Sequence, residues 1–256
     1  MAQYPSWSRI QGRPVFPGSS RFGTFPALGV LAFLLFSAAP ASSQPVTAGV
    51  AYLTGSQAAD GSWASPQVRR VLATTEALQA LQALSAAPAN RQSAVSFLQT
   101  APVEDTDDRS RRIAVLAAEG QGVASLLTQL KSDADSGGGW GLTADFVADP
   151  LDTSLALAAV APQASVGNDV LLPAFSALAV AQRSDGGWAC IDSTDADSEV
   201  FCAAQALLAF TPYRNRFSVA TQINAAVAFL HGRLNADGSF GPAGSAQVID
   251  TAIASL

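Results

Sequence analysis

A segment that ends in Asp-Gly and an aromatic residue recurs along the chain and decides the fold. Its copies are Tyr52-Leu-Thr-Gly-Ser-Gln-Ala-Ala-Asp-Gly-Ser-Trp63, Leu178-Ala-Val-Ala-Gln-Arg-Ser-Asp-Gly-Gly-Trp188 and Phe229-Leu-His-Gly-Arg-Leu-Asn-Ala-Asp-Gly-Ser-Phe240, with a longer fourth copy from Leu126 to Trp140. The closing aromatics Trp140, Trp188 and Phe240 lie 48 and 52 positions apart, whereas 77 positions separate Trp63 from Trp140. That wider gap leaves room for a degenerate copy around residues 94 to 118, so five repeats are expected.

Each repeat is predicted to be a helix, a glycine-rich turn and a second helix. Before the turn, Val123, Leu126, Leu127 and Leu130 keep the i, i+3, i+4, i+7 spacing of an amphipathic helix. No segment alternates with period two for long enough to indicate a strand. The chain is therefore expected to be all-α.

The turn residues are predicted to be structural. An Asp-Gly pair supplies the positive-φ residue that ends a helix, a glutamine amide just ahead can satisfy unpaired backbone groups, and the aromatic packs over the gap between neighbouring helices. The predicted turn residues are Gln57, Asp60, Gly61, Trp63, Gly139, Trp140, Gln182, Asp185, Gly186, Trp188, Asp237, Gly238 and Phe240.

An acid or hydroxyl residue follows each aromatic and precedes an apolar run. Asp152, Glu199 and Asp250 are predicted to start second helices, and Thr75 holds the corresponding place in the first repeat. Such residues accept hydrogen bonds from free N–H groups and favour the positive end of the helix dipole.

The recurring Gln-x-x-Asp-Gly-(Gly/Ser)-Trp, followed by an acid and an Ala/Leu helix, resembles the QW repeats of terpenoid (squalene) cyclases and protein prenyltransferase β subunits. The resemblance covers nearly all of residues 44–256 and implies an α/α toroid, as in prenyltransferase/squalene oxidase repeat proteins. Five hairpins would leave such a ring incomplete. Its apolar edge would then be covered by a partner, a second copy or residues 44–52.

Asp105-Thr-Asp107-Asp108 matches the Asp-x-Asp-Asp signature that the resemblance assigns to a general acid in class II terpene cyclases. Alkene protonation needs a carboxyl group that stays protonated. Arg109, Arg111 and Arg112 follow at once and would favour ionised acids. The three acids are therefore predicted to be helix-start residues and not a proton donor.

Residues 1–43 read as a signal peptide. Three arginines and no acid precede an apolar run from Ala27 to Ala39, which is shorter than the roughly 20 residues of a membrane span, and small residues offer cleavage after Ala41 or Ser43. An uncleaved anchor or a buried helix is the alternative. Residues 44–256 would then form an exported toroid domain, periplasmic or secreted.

Two cysteines, Cys190 and Cys202, would form a disulfide in an exported chain. They and the single histidine, His231, are too few for a tetrahedral zinc site without carboxylates, so we expect neither a metal nor another cofactor. His231 is predicted to be a surface residue at a helix end.

The net charge of −6 and the absence of a Lys/Arg run argue against nucleic acid as a partner. Charged residues make up 13% of the chain and AVILMFWYC 49%, which favours a closely packed helical domain. The sequence is interpreted as an exported, non-catalytic binding or scaffold module for a protein, a polysaccharide or a small apolar ligand. The alternative is a terpenoid-cyclase-like or prenyltransferase-like enzyme.

Overall fold

A computed structural model describes residues 43–63, 70–102, 105–160, 163, 166–191, 197–241, 250 and 254. The predicted signal peptide up to residue 42, with the candidate cleavage site after Ala41, lies outside the described residues, whereas Ser43, the other candidate site, begins a helix. The helices belong to one compact unit.

The described ranges contain nine α-helices and no strand, which confirms the all-α prediction. The helices are α1 (Ser43–Ser56), α2 (Arg70–Ala83), α3 (Pro88–Thr100), α4 (Thr106–Ala118), α5 (Ala124–Ser132), α6 (Pro150–Val160), α7 (Asn168–Val180), α8 (Val200–Phe210) and α9 (Ala220–Gly232). A short 3-10 helix, Thr211–Tyr213, follows α8 directly. The pair α3 and α4 occupies the region in which the sequence predicts a degenerate repeat.

The even-numbered helices form a continuous row in which α2 contacts α4, α4 contacts α6, and α6 contacts α8. We call these four helices the inner row. The odd-numbered helices α3, α5, α7 and α9 each pack most closely on the inner-row helix that precedes them in the chain. The result is a repeat-like stack of helical hairpins, while closure of such a stack into a toroid stays a prediction.

Small residues let the inner-row helices approach one another. Ala77 in α2, Ala156 in α6 and Ala206 in α8 are buried at equivalent positions. Helix α6 is buried around most of its circumference, as expected for a helix with neighbours on several sides. Helix α4 departs from this pattern, because the long side chain of Arg112 stands where the others carry alanine.

The prediction that the first inner helix begins at Thr75 is wrong. Helix α2 already includes Arg70, and the Thr75 hydroxyl donates to the Leu72 carbonyl oxygen at 2.8 Å, as a threonine inside a helix does. Thr75 is almost fully buried, so its place in the pattern reflects packing and not a helix start.

Candidate functional site

Three turn tryptophans are bound to the helix that precedes them. Each indole Nε1 donates to the carbonyl oxygen ten residues earlier, at 2.8 Å for Trp63 to Leu53, 2.6 Å for Trp140 to Leu130 and 2.7 Å for Trp188 to Leu178. The three rings are buried. Phe240 occupies the equivalent position in the fourth turn. It is half-buried, and its phenyl ring, unlike an indole, has no N–H to donate. These aromatic residues are committed to packing within the repeats.

Four turn glycines adopt positive φ: Gly61 and Gly138 at 87°, Gly186 at 88° and Gly238 at 83°. In the turn before Trp140, the positive-φ residue is thus Gly138, one position before the predicted Gly139. Gly139 is needed for a different reason, since a Cβ built there would lie 2.7 Å from the Ala148 Cβ. A side chain at Gly139 would therefore push the loop off the turn.

Two glutamine amides connect successive repeats. Gln57 Nε2 donates to the carbonyl oxygens of Gly61 in its own turn and Asn90 in α3, both at 2.9 Å. Gln182 Nε2 donates to Gly186 at 2.9 Å and to Gln222 in α9 at 3.0 Å. The sequence indicated only the bond within the turn. A glutamine amide has two N–H groups and the turn uses only one, so a second hydrogen-bond acceptor could have been predicted from the sequence.

The turn aspartates accept hydrogen bonds from backbone N–H groups two residues later. The distances are 3.1 Å from Ser62 N to Asp60, 3.0 Å from Gly187 N to Asp185 and 3.0 Å from Ser239 N to Asp237. Hydrogen bonds from the Ser62 hydroxyl and backbone, then from Arg70, lower the pKa of Asp60 to about 2. The Ser239 hydroxyl and N–H likewise lower the pKa of Asp237. These carboxylates hold the turn.

Cys190 and Cys202 lie at disulfide distance, with their Cα atoms 5.3 Å apart. Cys202 is fully buried in the first turn of α8, and Cys190 follows the Trp188 turn. The bond ties that turn to the start of the next inner-row helix.

Helix-start acids occupy two distinct positions. Asp105 is the N-cap of α4, where its Oδ1 accepts from Asp108 N at 2.7 Å, and Asp149 caps α6 in the same way, accepting from Asp152 N at 2.9 Å. Glu199 is the N-cap of α8 but makes no side-chain capping bond. Asp152 therefore lies three residues inside its helix and is equivalent to Asp108, not to Glu199. Asp250 lies in helical backbone, and burial raises its pKa.

The arginines after the Asp105 tetrad mostly turn away from it. Arg109 pairs with Asp133 at the end of α5, and Arg112 donates to the Ala101 carbonyl oxygen at the end of α3 at 2.8 Å. Only Arg111 pairs with an acid of the tetrad, Asp107, and it also pairs with Glu76. Arg109 and Arg112 thus place positive charge at the C-terminal ends of α5 and α3, where the helix dipole is negative and the interaction is favourable.

As a result, Asp108 is not the readily ionised acid that the neighbouring arginines suggest. Burial, then the charges of Asp105 and Asp107, raise its pKa to about 6 against the opposing effect of Arg111. The three arginines were expected to keep Asp108 ionised because they follow it in the sequence. Two of them contact other parts of the fold, Asp133 and the Ala101 carbonyl oxygen, and so do not act on Asp108.

Asp152 has the most strongly shifted pKa of these acids, a property that was not predicted from the sequence. Its side chain is 6% exposed, and its pKa rises to about 8 through burial first, then through the charge and hydrogen bond of Asp149, and then through Asp107 and Asp105. An acid three positions before the wholly apolar run from Leu155 to Val160 was the signal that could have revealed it. The starts of α4 and α6 thus bring five carboxyl groups near one another, and burial together with the neighbouring charges favours the protonated form of Asp152.

His231 lies exposed at the end of α9 beside an apolar pocket of about 220 Å³. The pocket is lined by Leu207, Val227, Leu230, His231, Leu234, Phe240 and Ala254. Within the described ranges, no three His, Cys, Asp or Glu side chains are arranged to hold a metal ion.

No α-helix in the described ranges has the length and apolar character needed to cross a membrane. In comparisons with known proteins, the chain matches no family model and no curated protein.

Proposed function

We propose that the chain is an exported, non-catalytic binding or scaffold module built on a toroid like that of terpenoid cyclases and prenyltransferases. The observation that supports this proposal is that the side chains of the repeat motif bind the helices of the stack itself. The turn indoles bind preceding helices, and two glutamine amides bind the following ones. Residues used in this way maintain the stack and leave its surface for recognition.

Among the partner classes considered, exposed apolar side chains favour a protein. Leu142, Phe146 and Val147 lie within six positions of one another in the loop before α6, and Val147 is 73% exposed. Exposed large apolar side chains that lie close together in a loop are a feature of protein contact surfaces. A photoreactive residue at Phe146 should therefore crosslink to another protein in the cell. The same residue at Val180, exposed on α7, is the matched control.

A terpenoid-cyclase-like enzyme is the second candidate, because two carboxyl groups favour it. Asp152 and Asp108 have raised pKa values, and a carboxyl group that keeps its proton near neutral pH can act as a general acid. The acid that best meets this requirement, Asp152, lies outside the Asp105 tetrad.

Incubation of the purified protein with squalene or a linear prenyl diphosphate separates the two candidates. The scaffold proposal expects no cyclised product. Product from the wild type that is lost in Asp108→Asn or Asp152→Asn, but kept in Asp145→Asn, would establish the enzyme. Asp145 is a suitable control because it is an exposed acid of the neighbouring loop.

A further inference from the structure

The turns of the stack follow a common rule in contacting the next odd-numbered helix. A Cβ built on Gly61 would lie 2.2 Å from the Ser93 carbonyl oxygen in α3, and one built on Gly186 would lie 2.4 Å from the Ala225 carbonyl oxygen in α9. The equivalent atom on Gly138 would meet Pro173 of α7 at 2.1 Å. Each of these turns therefore rests directly on a helix backbone.

The contacted helix presents two positions to the turn. In α7 they are Pro173 and Ala177, five residues and one residue before Leu178, whose carbonyl binds the next tryptophan. In α9 they are Ala225 and Phe229, which stand in the same relation to Leu230. Phe229 lies 2.9 Å from a Cβ built on Gly187. We call this pair of positions the docking face of an odd-numbered helix.

In the described part of the chain, the docking face of α1 is exposed at Tyr52. Leu53 accepts the indole N–H of Trp63, so the equivalent positions in α1 are Ala48 and Tyr52. Tyr52 is 74% exposed, whereas its counterpart in α9, Phe229, is buried and its counterpart in α7, Ala177, is half-buried. Helix α1 contains no charged residue, so the surface around Tyr52 carries no charge from its own helix.

In the turn that ends at Phe240, Gly238 and Leu234 lack such a contact with the described residues in the complementary way. Gly238 adopts the same φ as the other turn glycines, yet no atom of the described residues lies within 4 Å of a Cβ built on it. Leu234 stands where Gln57 and Gln182 bind the next helix, and it is 46% exposed. A leucine there suits an apolar contact and cannot make the two hydrogen bonds of the glutamines.

We infer that this turn binds the docking face of α1 from a second copy of the chain, so that Ala48 of one copy packs against Gly238 of the other, Tyr52 packs against Ser239, and Leu234 meets the first turn of α1. The two surfaces are the two halves of a contact that the stack already makes three times. The interface is heterologous, since different surfaces of the two copies meet. The inference is independent of the proposed function, because an enzyme with this fold would present the same surfaces.

The test is the molar mass of the purified protein over a range of concentrations, measured by analytical ultracentrifugation. We expect the wild type to associate, and Tyr52→Arg and Leu234→Asp each to weaken association about tenfold or more, as for a central interface residue. Val180→Arg is the control on another odd-numbered helix, at a residue 82% exposed, and should associate like the wild type.

Mixing the two variants gives the sharpest result. Tyr52→Arg keeps the turn intact and Leu234→Asp keeps the α1 face intact, so an equimolar mixture should form a one-to-one dimer that grows no further. A wild type that is monomeric at every concentration overturns the inference. A mixture that stays monomeric while the wild type associates does so too.

A crosslinking measurement keeps the inference testable if an added charge disturbs folding. Tyr52→Cys and Ser239→Cys, mixed under mild oxidation, should form a disulfide-linked dimer, and neither variant alone should do so at a comparable rate. Equal crosslinking by each variant alone indicates a symmetric interface and contradicts the head-to-tail arrangement.

Discussion

Among single residues, Asp152 has a pKa far above that of an ordinary aspartate because of its place in the fold. Burial and the neighbouring carboxyl groups raise its pKa to about 8 in the folded chain, from the value of 3.8 that an aspartate has in the unfolded chain. The folded chain therefore binds more protons between these values, and stability must fall as pH rises through this window. Asp108 acts in the same direction over the narrower range up to about 6.

We predict that Asp152→Asn makes the chain more stable than the wild type at pH 8 and reduces the loss of stability between pH 5 and pH 8. Asparagine keeps the size of the side chain and carries no charge, so a stabilisation of about 1 kcal/mol or more is expected at the higher pH. Urea denaturation at the two pH values measures it. Asp145→Asn should leave the wild-type pH dependence in place, and an unchanged pH dependence in Asp152→Asn would contradict the assignment.

The contacts of the turn residues could be predicted from the sequence, whereas those of several helix residues could not. The Asp-Gly-aromatic turns were predictable because their chemistry is local: the positive φ of Gly186 and the bond from Gly187 N to Asp185 join residues within two positions. The partner of Arg109 was not, because Asp133 lies 24 residues away. The burial of Asp152 depends on its neighbours in the stack, which a single helix does not show.

At the scale of elements, two glycines with the same backbone conformation differ only in what lies against them. Gly186 rests on the α9 backbone, and Gly238 has no described atom within 4 Å of its added Cβ. Replacement by alanine costs about 1–2 kcal/mol at either position through the left-handed conformation. Only at Gly186 does the new methyl group also overlap a helix backbone.

We therefore predict that Gly186→Ala destabilises the chain by at least about 1 kcal/mol more than Gly238→Ala does, because overlap with a backbone atom forces the turn and α9 apart. Chemical denaturation of both variants in dilute solution measures the difference. Equal destabilisation would show that the turn does not bear on α9 in solution.

At the scale of the whole molecule, the inner row is continuous but its helices are secured differently at their starts. Helices α4 and α6 begin with capping aspartates, Asp105 and Asp149. Helix α8 begins with Glu199, which makes no side-chain capping bond, and carries Cys202 where α6 carries Asp152. The repeat that contains α8 thus has the Cys190–Cys202 disulfide in place of an acid pair like Asp149 and Asp152. The disulfide holds the Trp188 turn against the inner row.

The disulfide should therefore contribute to the stability of the entire stack. Joining residues with a sequence separation of 12 restricts the unfolded chain, which corresponds to about 3 kcal/mol in the chain-entropy model. We predict that replacing Cys190 and Cys202 together by alanine lowers the free energy of unfolding by about 2–4 kcal/mol, as measured by urea denaturation without reductant. The wild type treated with reductant should lose stability to a similar extent, whereas the double variant should not respond to it. Two free thiols in wild-type protein purified without reductant would show that the bond does not form in the cell, and would remove the link between this cysteine pair and an oxidising compartment.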